Sequence, residues 1–162
     1  MKRSTRMAAL FLMSQMVATS ARAGVVDSPL PAPFTQHVFT VPGVMDFFMG
    51  TFFSCTNLDA AAVTIGVEIF PPAGGLLSVN DPVATSLIVG PGATVIFGTS
   101  SAAGISIDSN LLAPAISKGS ARILATSKKI ACTAYIADTA NVPPTSAWQL
   151  TIIAKTKQKA AN

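Results

Sequence analysis

The chain has 162 residues, 50% of them hydrophobic and only 11% charged, which excludes a disordered polar chain and fits one globular domain. Its formal charge of +4 belongs to the first 23 residues, which hold Lys2, Arg3, Arg6 and Arg22 and no acid. The remaining seven basic and seven acidic residues balance, so a basic field for nucleic acid is not expected.

The first segment has the three parts of a cleavable export signal. Lys2, Arg3 and Arg6 form a positive start, residues 7–18 an apolar run, and Ala21-Arg22-Ala23 a small-x-small site that predicts cleavage before Gly24. The apolar run is about a dozen residues, short of the roughly 20 a spanning helix needs, so no membrane span is expected after cleavage. No cysteine follows the site and no twin arginine precedes it, which argues against lipid attachment and the twin-arginine route. The expected location is the periplasm or the cell exterior.

Residues 24–34 carry Pro29, Pro31 and Pro33 in alternation. Each proline fixes φ and removes a donor, which predicts an extended arm or linker. A β domain over 35–156 and a lysine-containing tail over 157–162 are expected to follow.

The domain reads as short apolar runs between turn residues. Strands are predicted at 35–41, stopped by Pro42-Gly43, and at 47–56, ended by Asn57-Leu58-Asp59. The pattern is clearest over 62–70, where Val63, Ile65, Val67 and Ile69 alternate with Thr64, Gly66 and Glu68, one face buried and the other mostly wet. Weaker strands are predicted at 84–89 and 93–98, on either side of Gly90-Pro91-Gly92, with a short one at 104–108. Residues 121–127 and 130–138 read as a hairpin turning at Lys128-Lys129. The last strand, 148–155, spaces Trp148, Leu150 and Ile152 by two. With no long 3.6-residue period, these seven to nine strands predict an antiparallel β-sandwich or small barrel.

Cys55 and Cys132 are the two cysteines, and in an oxidising compartment a lone pair is expected to bond. Two buried thiols or an intermolecular link are the alternatives. Phe53 shares a face with Cys55, and Ala134 and Ile136 share one with Cys132, so both cysteines should point inward and bridge a sandwich core, with Thr133 and Tyr135 outward. The arrangement resembles an immunoglobulin-type sandwich, except that no tryptophan lies on the strand after Cys55 and the only one is Trp148. A redox-active pair usually sits in CxxC proximity, which is absent.

Phe52-Phe53-Ser54-Cys55-Thr56-Asn57, Pro91-Gly92-Ala93-Thr94-Val95, Gly119-Ser120-Ala121-Arg122-Ile123-Leu124, Cys132-Thr133-Ala134 and Lys155-Thr156-Lys157-Gln158-Lys159, in that order, resemble stretches of small exported bacterial β-sandwich proteins of uncharacterised function. The resemblance implies export and a β-sandwich and brings no site residues with it.

The residues for most chemistries are missing. His37 is the single histidine, too few for a histidine-based copper or zinc site, and it reads as a surface or rim residue. The GxSxG elbow is absent, and Ser117-Lys118, as neighbours on a strand, would face opposite ways. Gly90-Pro91-Gly92 reads as a turn, because proline removes an amide that a phosphate would need. Asp59, Asp81 and Asp108 stand too far apart in sequence for a calcium loop. No cofactor, metal or catalytic residue is expected. A carboxylate-pair hydrolase is the low alternative, since folding could bring two of the seven acids together.

Two surface features remain. Lys155, Lys157 and Lys159 alternate, as edge protection or an anion-binding strip. Phe47, Phe48 and Phe52 lie in a segment apolar on both faces, which fits a central core strand or a contact patch. Past residue 23, the acids, six of seven before Lys118, and the bases, all after Ser117, form either a mixed or a dipolar surface. The expected function is a non-enzymatic module working through protein contacts, with a self-assembling fibre or surface-layer subunit as the alternative.

Overall fold

The computed structural model describes residues 29–73, 78–101 and 104–155. They are all-β, with ten strands and no helix. The strands are β1 (Gln36–Asp46), β2 (Met49–Asn57), β3 (Val63–Phe70), β4 (Leu87–Val89), β5 (Thr94–Gly98), β6 (Ser109–Asn110), β7 (Ile116–Ala125), β8 (Ile130–Asp138), β9 (Ala147–Gln149) and β10 (Ile153–Ala154).

They form one mixed, nearly closed sheet. One half runs β4-β3-β7-β1, with β10 on the far edge of β1. The other places β8 and β5 on either side of β2, with β9 beyond β8 and β6 parallel to β5. The halves meet where Asp46 pairs with Gly50, and the segment 147–154 passes from β8 to β1.

The enclosed core takes the odd-numbered face of most strands: Phe53 and Cys55 of β2, Val63 to Ile69 of β3, Phe97 of β5, and Ala121, Ile123 and Ala125 of β7. In β1 the alternation breaks. Val41 and Val44 are both fully buried, although three residues apart would place them on opposite faces of a regular strand. A shift in register between Pro42 and Val44, with Gly43 at φ +84, restores the second valine to the core. Pro42-Gly43 therefore bends the strand instead of ending it.

Four expectations need correction. The hairpin at Lys128-Lys129 does not form: β7 pairs with β1 and β3, β8 with β2 and β9, and the chain crosses between halves over 126–129. The cysteines do bond, but on adjacent strands of one half: Cys55 and Cys132 are register partners in β2 and β8, with Cα atoms 4.1 Å apart. Both face the core, as alternation requires, yet the bond does not span it.

The second face of β3 is not wet. Glu68 is paired with Arg122, its register partner on β7, and both are buried. Phe34 lies over Gly66, where any Cβ would meet its ring and, at 2.7 Å, the Pro82 carbonyl. The described end of the proline-rich segment, residues 29–34, is thus seated on the sheet: Phe34 is buried, its amide donates to the Pro31 carbonyl, and the Pro29 carbonyl accepts from Arg122 Nη2.

The fourth correction concerns the weaker strands. Of 84–89 only β4 is extended, because Asp81 draws 81–86 into a turn, its Oδ1 accepting from the amides of Val83 and Ala84. Of 104–108 only Ile105 makes an isolated bridge, and the last strand divides into β9 and β10 as it changes partners. Among the described residues no helix is long and apolar enough to cross a membrane.

Candidate functional site

Register places the ends of β1, β5, β6 and β8 and the starts of β2 and β7 together. Asp46 pairs with both Gly50 and Ile116, Met49 with Asp138, Phe52 with Gly98, and Gly98 with Asn110. The loops at this end carry four exposed apolar side chains: Phe47 (52%) and Phe48 (81%) between β1 and β2, Leu112 (75%) between β6 and β7, and Val142 (69%) between β8 and β9.

Phe48 and Leu112 are also the only non-glycine residues with positive φ among those described, at 59° and 51°. For a bulky side chain this conformation costs of order 1–3 kcal/mol and persists only where the surroundings impose it.

Here they do. The Thr51 hydroxyl donates to the Met45 carbonyl and accepts from the Met45 amide, both at 2.8 Å. The Thr99 hydroxyl accepts from the Thr51 amide at 3.0 Å and donates to the Met45 carbonyl at 3.2 Å. Thr51 and Thr99 are buried, so these bonds do not compete with water. The Phe47 amide donates to the Met49 carbonyl and the Thr139 hydroxyl to the Phe48 carbonyl. Gly50 completes the brace, because a Cβ there would lie 2.9 Å from the Thr139 methyl and 2.5 Å from Ser100 Oγ. The Phe47 and Phe48 rings meet edge to face at 4.3 Å. The turn presents a fixed aromatic pair.

Asp138 organises the loop behind it. Its carboxylate accepts from the Ala140 amide, the Asn141 side-chain amide and the Thr145 hydroxyl. These bonds, that to Asn141 first, hold its pKa down at about 2. Burial raises the Asp46 carboxyl above its ordinary value, while the hydroxyls of Ser100 and Thr99 act the other way.

The remaining candidate residues are scattered. Phe52 is fully buried on the outer face of β2, stacked on Tyr135 at 5.4 Å and covered by Ile105 and Ile107 of the 99–108 loop, so it belongs to the packing and not to the surface beside Phe47 and Phe48. Burial raises the Tyr135 hydroxyl pKa. Lys155 is exposed, its amide donating to the Val38 carbonyl next to β10; Lys157 and Lys159 lie outside the described residues. His37 is half-buried, its Nε2 3.0 Å from both the Phe39 carbonyl and the Thr40 hydroxyl.

Two clefts, of about 390 and 380 Å³, are lined by Cys132, Thr133 and 149–152, and by Gly43, Pro71, Pro72 and 118–120; neither has a carboxylate in its wall. Among the described residues no group of three His, Cys, Asp or Glu could hold a metal.

Leu112 and Val142 are the members of the rim that strand patterns do not reveal. Each lies outside any strand, in Leu111-Leu112-Ala113-Pro114 and Asn141-Val142-Pro143-Pro144. An apolar residue one or two positions before a proline in a loop is the one local sign they leave. No protein family, curated protein or solved structure matches the chain.

Proposed function

We propose that the chain is an exported, non-enzymatic β-sandwich module that acts through protein contacts made by the loop end bearing Phe47, Phe48, Leu112 and Val142. The observation that carries this reading is the coincidence, at one end of the fold, of the positive-φ backbone of Phe48 and Leu112 with near-complete exposure of their side chains. An exposed phenylalanine held in a costly conformation by buried threonines gains nothing for folding, and rigid aromatic anchors are what contact surfaces use. Export is supported by the leader pattern and the disulfide. A sandwich is supported by the single core shared between the β3-β7-β1 and β8-β2-β5 layers.

The test is site-specific photo-cross-linking in the organism that makes the protein. A photoreactive phenylalanine analogue at position 48 or 112 is expected to give adducts of discrete mass, and the same analogue at Ile88, 80% exposed near the other end, to give none. Absence of adducts at 48 and 112, or equal labelling at 88, rejects the reading.

A second reading, a self-assembling fibre or surface-layer subunit, has one specific observation in its favour: β4 lies at the end of the sheet order and exposes Ile88 on a three-residue edge. Sedimentation velocity and negative-stain imaging decide between the two, since a strictly monomeric species at high concentration removes assembly.

A further inference from the structure

Most strand edges in this fold are covered. Asn80 runs beside β3 like a partner strand, its side chain accepting from the Ile69 amide and donating to the Val67 carbonyl. Asp108 does the same for β5, accepting from the Ile96 amide through its carboxylate and donating its own amide to the Ile96 carbonyl. The outer edge of β8 is different. β9 pairs with it only at 135–137, the Leu150 amide still reaches the Ala134 carbonyl, and the chain then leaves for β1. Along 130–133, no strand among the described residues pairs with this edge. The gap it leaves is the cleft of about 390 Å³ walled by Cys132, Thr133, Gln149, Leu150, Thr151 and Ile152.

One half of the disulfide, Cys132, lines this gap. Cys55 is fully buried in β2, whereas Cys132, one strand closer to the cleft, is half-buried. Because the two are register partners, the bond runs from β2 toward β8. Cys132 forms part of the cleft wall and Cys55 does not. Thiol–disulfide exchange is an in-line displacement, with the attacking sulfur, the attacked sulfur and the leaving sulfur nearly collinear. The cleft is the side from which a thiol meets Cys132, whereas Cys55 is closed in the core.

We propose that Cys55–Cys132 is a thiol-exchange site entered through this cleft, with Cys132 as the sulfur that takes the incoming thiol. A thiolate bonds to Cys132 Sγ, the Cys55–Cys132 bond breaks, and its electron pair leaves with Cys55 Sγ, which ends as a thiol by taking up the proton the attacking thiol gave up. A second thiol of the same reagent then attacks the mixed disulfide. It releases Cys132 as a thiolate and leaves the reagent oxidised to its own disulfide, so a dithiol is the matching chemical class. The strands remain in place through the exchange, because β2 and β8 pair at nine positions, from Met49–Asp138 to Asn57–Ile130, and β2 is held on its other edge by β5. The site is independent of the loop end and of what binds there.

The experiment follows reduction of the oxidised protein by dithiothreitol under native conditions, with free thiols trapped by a maleimide of high mass. The rate is expected to rise in proportion to dithiothreitol and to change less than twofold in urea below the unfolding transition. Thr151→Trp, a replacement of an exposed wall residue, is expected to slow it at least fivefold, and glutathione used alone to leave its adduct on Cys132. A rate that saturates with dithiothreitol and climbs steeply with urea means that the bond opens only on unfolding, and overturns the proposal. So does a glutathione adduct on Cys55, a T151W rate equal to the parent's, or loss of the β dichroism spectrum on reduction.

Discussion

The Glu68–Arg122 pair gives the sharpest test of how the sheet is held. The two side chains are 9% and 2% exposed, the guanidinium lies 5.5 Å from the Phe70 ring centroid, and the segment at Pro29 crosses above it. Glu68→Gln keeps the shape and removes the charge, so the guanidinium loses the Glu68 carboxylate in a buried site. Breaking one side of a buried pair costs about 3–5 kcal/mol. With a urea slope of about 2 kcal/mol/M for a domain of this size, the unfolding midpoint should fall by roughly 1.5–2.5 M. Arg122→Met should cost a similar amount from the other side. The double variant E68L/R122M removes both charges and should lie within about 1 kcal/mol of the parent, or above it. The signature is strong non-additivity in a double-mutant cycle, read from equilibrium urea unfolding followed by far-ultraviolet dichroism. Additive effects, or an E68Q cost below about 1 kcal/mol, would mean a solvated surface bridge and would refute the closed site inferred from residues 29–34.

Four further outcomes are expected. C55V/C132V should lose at most about 4.5 kcal/mol, the loop-entropy value for a bond closing 77 residues, while its dichroism spectrum stays β. F48N should be more stable than the parent by about 0.5–1 kcal/mol in thermal unfolding, since Asn tolerates φ near +60° and the lost ring is mostly exposed; a destabilised F48N would mean that the ring supports the fold. G66A should cost about 1–3 kcal/mol by overpacking against Phe34 and the Pro82 carbonyl, and limited proteolysis should then cut within 29–34. Asp138, held at about 2 in the folded chain, stabilises fully above the ordinary carboxylate value of about 4 and loses that contribution as the pH falls through about 2. D138N should therefore flatten the acid limb of the stability curve, and an unchanged limb would assign acid sensitivity elsewhere.

What a strand's own alternation can state was legible in the sequence, and what its neighbours decide was not. The parity of Phe53, Cys55, Cys132 and Ala134 predicts which face each takes, and the core holds all four. Parity carries nothing about which strand lies alongside, so a bond across the core and a bond within one layer look the same. Glu68 reads as wet because a lone acid on an alternate face ordinarily is, and its partner Arg122 lies 54 residues away. Two strands separated by Lys128-Lys129 read as a hairpin, but the link lies along the β2–β3 connection, which crosses between the same two halves: the Thr126 amide donates to the Thr64 carbonyl, Ser127 Oγ to Asp59, and the Leu58 amide to the Lys129 carbonyl. Phe52 shows the same limit from the other side. A segment apolar on both faces is visible in sequence, whereas the loop whose Ile105 and Ile107 cover the outer face is visible only once folded.

The placement of buried polar groups bears on how such a fold meets other molecules. Asn57 is fully buried at the end of β2 opposite the aromatic turn, its side chain donating to the Ala61 and Val89 carbonyls and accepting from the Asp59 amide. With Asn80 along β3 and Asp108 along β5, it satisfies backbone groups that would otherwise offer a template for another chain. Thr51 and Thr99 use the same chemistry to opposite effect, fixing a turn so that Phe47 and Phe48 project into solvent. Edges closed by side-chain amides and carboxylates, beside an apolar turn held open by hydroxyls, favour contact through loop tips over growth by strand addition. The β4 edge, three residues long and followed directly by Gly90-Pro91-Gly92, and the unpaired stretch of β8 at 130–133 are too short to outweigh them.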